Sequence, residues 1–287
     1  METEILGYDL KGQPIKLVIQ NGRFASVESN PTLDKTLGIQ TIMPSFIDAH
    51  CHITITGMDL TSLSLAGCEN HAEVLDRIRD YEKNLEPESW LLAVEYNQNL
   101  LAEKAHITRE QIDSVCPNRP VLLRHVSWHA GVANSLALER ANIREDVKNL
   151  KSGEFIRDAN GKLNGVVTED AYKLITKAVP APTVSQLADA IVAAGKAMAS
   201  VGVSCATDMW IGRYGLEHEL KAFALAYQRG MPIRTRLALD WAQVVGSRMV
   251  EKGKLEELVS ALDSDWCKVW GLKIFADGAI GAATAAM

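Results

Sequence analysis

The chain is poor in the features that mark several common classes of protein. Lys and Arg number 30 against 36 Asp and Glu, a formal net charge of −6, and they form no cluster, which argues against nucleic acid as a principal partner. Cysteine is sparse: Cys51, Cys68, Cys116, Cys205 and Cys267 are odd in number and widely scattered. With no Cys-x-x-Cys pair among them, neither a disulfide framework nor a thiolate zinc site is indicated, and reduced, buried thiols are expected. No stretch approaches ~18 uninterrupted apolar residues, and Met1 to Gly7 lacks a basic segment followed by an apolar one. A membrane partner is therefore not expected, and the cytoplasm is the expected compartment. A Gly-x-Gly-x-x-Gly turn is missing after every candidate strand, which removes the support for a dinucleotide site. The run Asp277-Gly278-Ala279-Ile280-Gly281 lacks the Gly-Lys-Ser/Thr ending of a nucleotide loop, and reads as a loop leaving a strand. What remains is a globular composition, 47% hydrophobic and 23% charged over 287 residues. It can bury a substantial core and suits a small, neutral or polar substrate.

The most informative run is Pro44-Ser-Phe-Ile-Asp-Ala-His-Cys-His52. Phe46, Ile47 and Ala49 behind a proline predict a short buried strand leading into His50 and His52. Alternate side chains of a strand share a face, so the two imidazoles point the same way, roughly 7 Å apart at the backbone. That spacing suits two ligands on one metal ion, since neutral imidazole is the commonest protein ligand for zinc and related ions. Cys51 faces the other way and reads as packing. The plainer reading is that both histidines are polar strand termini, because a two-residue motif recurs by chance.

Residues 1–43 carry alternating stretches, Pro14 to Gln20 and Phe24 to Glu28, on either side of Asn21-Gly22, a hairpin signal. They predict a small N-terminal β element ahead of a main domain over 44–287. Residues 59–182 or so mix a helix pattern (His71 to Asn84), a strand (Val121 to His125) and a polar turn at Asp158 to Gly161, and read as a long insertion after the first core strand. From about residue 184 helix and strand alternate: Ser185 to Ser200 then Val203 to Asp208, Leu216 to Arg229 then Ile233 to Leu239, Met249 to Leu262 then Val269 to Ala276. Such units build a parallel sheet or barrel. A barrel is favoured, with an open doubly wound sheet as the other architecture.

Five ordered stretches then resemble the amidohydrolase superfamily and, within it, the branch similar to N-substituted formamide deformylase. These are the His50-x-His52 strand; Arg124-His125-Val-Ser-Trp-His129 with Asn134-Ser-Leu-Ala-Leu138; Gly153 to Asp158 through Asn164 to Glu169; Gly202-Val-Ser204; and Lys273-Ile-Phe-Ala-Asp-Gly278. Together they span about residues 39–287. The usual Pro-Gly before the first strand is Pro44-Ser45 here, a mild change at that turn. The resemblance implies an α/β fold in the form of a partial (β/α)8 TIM-type barrel, about strands 1–4. An eight-stranded barrel takes ~250 residues, and family members carry two further metal-binding histidines and a catalytic aspartate on strands five to eight. The sequence therefore reads as an N-terminal half, with that aspartate expected beyond Met287.

The resemblance assigns His50, His52 and Lys273 as metal ligands, with Lys273 carbamylated and bridging two ions. Lys273 shares a strand face with Gly271 and Phe275, and a lysine directed into a barrel is costly unless paired or modified. Otherwise its stem packs and its ammonium meets Asp277 or solvent. Arg124, His129 and Glu169 are expected at the substrate, against the alternatives that His125 and His129 cap loop carbonyls and that Glu169 is simply solvated. Asn134 reads most simply as a helix N-cap. The implied activity is hydrolysis of carbon–nitrogen, amide-type, non-peptide bonds of a small molecule by metal-activated water, with one or two divalent ions. Zinc is the first choice, and iron or manganese also suit. The alternative is a catalytically silent fragment. An open sheet edge would invite self-association or a complementing chain.

Overall fold

The computed structural model describes residues 2–29, 31–32, 40–246, 253–262 and 264–275. Among them are three sheets, each laid down mainly by a different stretch of sequence. The first is antiparallel, from β1 (Glu2–Tyr8), β2 (Pro14–Gln20) and β3 (Arg23–Ser29). Asn21 and Gly22 turn the second hairpin with φ of 52° and 74°, the left-handed pair that a two-residue turn needs and that Asn-Gly adopts at little cost. A bridge from Tyr8 to Thr41 ties this sheet to the segment leading into β4 (Phe46–Cys51), which is followed at once by α1 (Ile53–Leu60).

The second sheet occupies residues 63–168. It comprises β5 (Leu63–Ser64), β6 (Leu91–Tyr96), β7 (Val121–His125), β8 (Ala130–Ala133), β9 (Phe155–Arg157) and β10 (Leu163–Thr168), in the order β5-β6-β7-β8-β10-β9. Its helices are α2 (His71–Glu82), α3 (Arg109–Asp113), α4 (Ser135–Arg140) and, directly after β10, α5 (Glu169–Ala178). Both faces are covered. Val121 and Leu123 of β7 enter one core with Val74, Ile78 and Ile112, while Leu122 between them enters another with Leu138 and Ile175, as strand alternation requires.

The remaining elements are α6 (Val184–Ser200), β11 (Val203–Ile211), α7 (Leu216–Gln228), β12 (Arg234–Asp240), α8 (Trp241–Gly246), α9 (Lys254–Ser260) and β13 (Cys267–Lys273). With β4 they make a wholly parallel four-stranded sheet, β13-β12-β11-β4. Every strand lies beside its predecessor, and the reversal of order that marks a doubly wound sheet is absent among the described strands. One core joins this sheet, through Ala206, Leu237 and Leu239, to Ile53, Leu187, Ile191 and Phe223 of its helices. Of the helix expected over 249–262, α9 is the observed part, and 249–252 lie outside the described residues, as do Ala276, Asp277 and Gly278.

β4 is a strand but not the buried strand expected from its apolar run: Phe46 is 55% and Ile47 70% exposed. The cause is its position, since β4 pairs with β11 on one side only and forms the edge of the sheet. Among the described residues no helix is long and apolar enough to cross a membrane.

Candidate metal centre

The carboxyl ends of the four parallel strands carry the candidate residues. His50 is on β4, and His52 is the N-cap residue of α1, with φ −132° and ψ 80° and no side-chain capping bond. Their ring centroids are 5.9 Å apart with planes at 81°. The cap that His52 does not supply comes from the neighbouring strand. Asp208 of β11 is 1% exposed, and its Oδ2 accepts from the Thr54 backbone N–H at 3.1 Å and the Thr54 hydroxyl at 3.4 Å. A carboxylate at a helix N-terminus satisfies an orphan donor and meets the positive end of the helix dipole. His52 is thereby released from capping.

The other oxygen of Asp208 faces that imidazole. Oδ1 accepts from the Trp210 backbone N–H at 3.1 Å and stands 3.8 Å from His52 Nδ1, a buried nitrogen with no hydrogen-bond partner among the described residues. Cys51, between the histidines, turns away: its thiol donates to the Thr207 carbonyl at 3.3 Å. Burial, with Asp48 and Asp208 nearby, pushes that thiol up to about 12, so it stays protonated and packs.

Across the sheet, Trp210 Nε1 donates to Asp240 Oδ2 at 2.8 Å. The Trp210 ring meets His52 at 6.4 Å and Phe275 at 5.2 Å between centroids. Lys273 pairs in register with Asp240. A shift of that register between Leu237 and Ala238 puts Gly271 and Lys273 on the Ala238–Asp240 face, opposite the core-facing Leu237 and Val269. Lys273 Nζ lies 4.8 Å from the Phe275 ring centroid. The structure thus pairs the two imidazoles and sets Lys273 at the same end of the sheet, with two strands between. Among the described residues no group of three or more His, Cys, Asp or Glu is arranged to hold an ion. The paired imidazoles and the orphaned Nδ1 of His52 fit a metal as part of a donor set.

Arg124, His129 and Glu169 cluster on the second sheet. Arg124 makes an ion pair with Asp59 of α1 at 2.5 Å, and its guanidinium carbon lies 3.6 Å from the Trp128 ring centroid. This links β7 to the helix that begins at His52. His129 Nδ1 and Glu169 Oε2 are 3.0 Å apart, both side chains about half exposed. Trp128 and Glu169 have φ of 65° and 47°, left-handed backbone that is uncommon outside glycine. The Glu169 N–H donates to the His129 carbonyl at 2.7 Å.

His125 does not cap a carbonyl. Its Nδ1 accepts the Ser127 N–H at 3.1 Å, its ring packs on Tyr96 and His106, and burial lowers its pKa. Asn134 is the N-cap of α4, accepting the Ala137 N–H, and is wholly buried, where it also accepts the Val121 N–H and donates to the Cys116 and Arg119 carbonyls. Sequence reading passed over Asp208, Trp210 and Asp240. The available signal was an acid at the carboxyl end of a strand, where parallel α/β sheets carry their chemistry.

This arrangement defines an α/β protein whose candidate chemistry sits at the carboxyl ends of parallel strands, a fold shared with a solved metal-dependent hydrolase from Pyrococcus furiosus. That likeness has a TM-score of 0.67 at 25% identity and covers 98% of this chain and 58% of that one. The amidohydrolase family model matches residues 40–287, and the chain belongs to the amidohydrolase family. It is 29% identical to YtcJ of Bacillus subtilis (strain 168), over 90% of this chain and 47% of that protein. It is also 33% identical to the N-substituted formamide deformylase of Arthrobacter pascens, over 48% of this chain and 26% of that one. The chain spans about half the length of the curated relatives it matches most extensively.

Proposed function

We propose that this chain carries the first metal ligands of a hydrolase acting on carbon–nitrogen, amide-type, non-peptide bonds of a small molecule. The observation that carries the reading is the imidazole pair at 5.9 Å, with the Asp208 carboxylate beside His52 Nδ1, in a chain of the amidohydrolase family. His50 and His52 would hold a divalent ion, with Lys273 joining as a carbamate, which replaces a cation by a carboxylate-like ligand. When bound, such an ion lowers the pKa of water to about 7 and polarises a carbonyl. Zinc is the first choice for imidazole and carboxylate-like donors, and iron or manganese suit them too.

The chain's own residues prepare that chemistry. Asp208 Oδ1, 3.8 Å from His52 Nδ1, would orient that imidazole toward an ion, the usual part of a carboxylate beside a metal-bound imidazole. His129 and Glu169, half exposed and paired, meet polar groups of the substrate. Arg124 contributes from within its pair with Asp59. The parallel sheet is read as strands one to four of a barrel, and the cytoplasm suits its five free thiols.

A second reading is favoured by the edge of β4, which among the described strands pairs with β11 on one side only and carries the exposed Phe46 and Ile47. In it the isolated polypeptide is catalytically silent and associates through that edge with itself or a complementing chain. Zinc-loaded protein incubated with N-substituted formamides tests the choice: amine release lost in His50→Ala and His52→Ala supports the hydrolase. Release unaffected by either change contradicts it. Metal bound without any turnover favours the silent form.

A further inference from the structure

A cleft of about 890 Å³ opens between the second sheet and the parallel sheet, beside the candidate centre, within the ~300–1,000 Å³ typical of small-molecule sites. Its walls include the end of α5, the start of α6, the loop after β11 and α8. Trp210 belongs to both places. Its ring faces His52, it lines the cleft, and its bond to Asp240 fixes its orientation. Trp90, Tyr81 and Tyr214 add aromatic surface.

The charge of the cleft opposes that of the chain. Arg213 and Lys177 line it and are exposed, and neither makes an ion pair among the described residues. The one acid among the described lining residues, Asp189, is already paired with Arg229 at 2.7 Å. Glu219, which feels the field of Arg213, is buried and accepts the Tyr214 N–H at 2.6 Å. The Arg213 guanidinium lies 5.4 Å from the Trp210 ring centroid and 5.9 Å from that of Tyr214. A guanidinium held near aromatic rings at such distances makes a cation–π contact and can still present its N–H donors to a planar anion. A cationic wall in a chain of net charge −6 selects for an anion by local field.

We propose that this cleft receives a small molecule with an aromatic or branched apolar body and a carboxylate, the carboxylate on Arg213 and the body against Trp210 and Tyr214. The inference deepens the hydrolase reading and rests on it only in making that molecule the substrate. Binding at the cleft needs no metal.

The test is equilibrium dialysis of the full chain, in chelator, against N-acetylphenylalanine and its uncharged methyl ester. The acid is expected to bind at least about tenfold more tightly, a difference of ~1.4 kcal/mol, and Arg213→Gln is expected to erase that preference while leaving ester binding within about twofold. Arg213 is exposed, so the variant should fold, and Lys177→Gln gives an independent, smaller loss. Equal binding of acid and ester, no saturable binding of either, or a preference that survives Arg213→Gln overturns the proposal. Any of those results leaves the metal reading standing, whereas metal content unaffected by histidine substitution would remove that reading and leave the cleft.

Discussion

His52 occupies the N-cap of α1 without capping it, and Asp208 takes over the task from another strand. That division of labour predicts the behaviour of Asp208→Asn. The amide keeps an acceptor for Thr54 but loses the negative charge beside His52, so metal affinity should fall about 10–100-fold while circular dichroism stays native. Unchanged affinity by titration would show that Asp208 is only a cap. Glu219 offers a separate test. Burial raises its carboxyl from 4.5 to about 7, so the folded chain holds that proton more tightly than the unfolded one. The stability this provides is fully present below pH 4.5 and is lost as pH rises through 7. Relative to wild type, Glu219→Gln should gain on the order of 3 kcal/mol between pH 4 and pH 8, read from urea midpoints at each pH. A difference that does not change with pH would contradict the assignment. At this scale the sequence disclosed residues whose roles are local. Asn134 is legible as a cap because its partner Ala137 is three positions on, whereas Asp208 serves Thr54 from 154 positions away, and no spacing rule reveals that.

The path from β4 to α1 is set by the packing of α1 on α6. A Cβ on Gly57 would overlap the backbone carbonyl of Ala190, so only glycine permits this approach. Backbone atoms cannot step aside as a side-chain tip can. Gly57→Ala should therefore cost about 1–3 kcal/mol and weaken metal binding as well, because the displaced helix begins at His52. A thermal scan that matches wild type would contradict the close contact. Elements with strong local signals were legible: the Asn21-Gly22 hairpin, β7 at Val121–His125, and the helices α6 and α7 to within a residue or so. The second sheet was largely hidden. Its strands β5, β8 and β9 have two to four residues, too few for a period to show, and they are joined by pairings of mixed direction.

For the whole molecule, the regular helix–strand alternation after residue 184 foretold the parallel sheet, observed in the order β13-β12-β11-β4. What the alternation did not carry was the exposure of β4, because sequence pattern reports what a strand can bury and not which neighbour lies beside it. The relation between the second sheet and the cleft was equally out of reach, since it depends on contacts between distant segments. The proposed metal centre depends first on the imidazole pair. Isothermal titration of zinc into the purified chain, compared with His50→Ala, His52→Ala and the double variant, tests it most directly. Wild type should bind one ion, each single variant should bind at least about tenfold more weakly, a loss of ~1.4 kcal/mol, and the double variant should show no binding at this site. Zinc binding of the same strength and stoichiometry in the double variant would contradict the account.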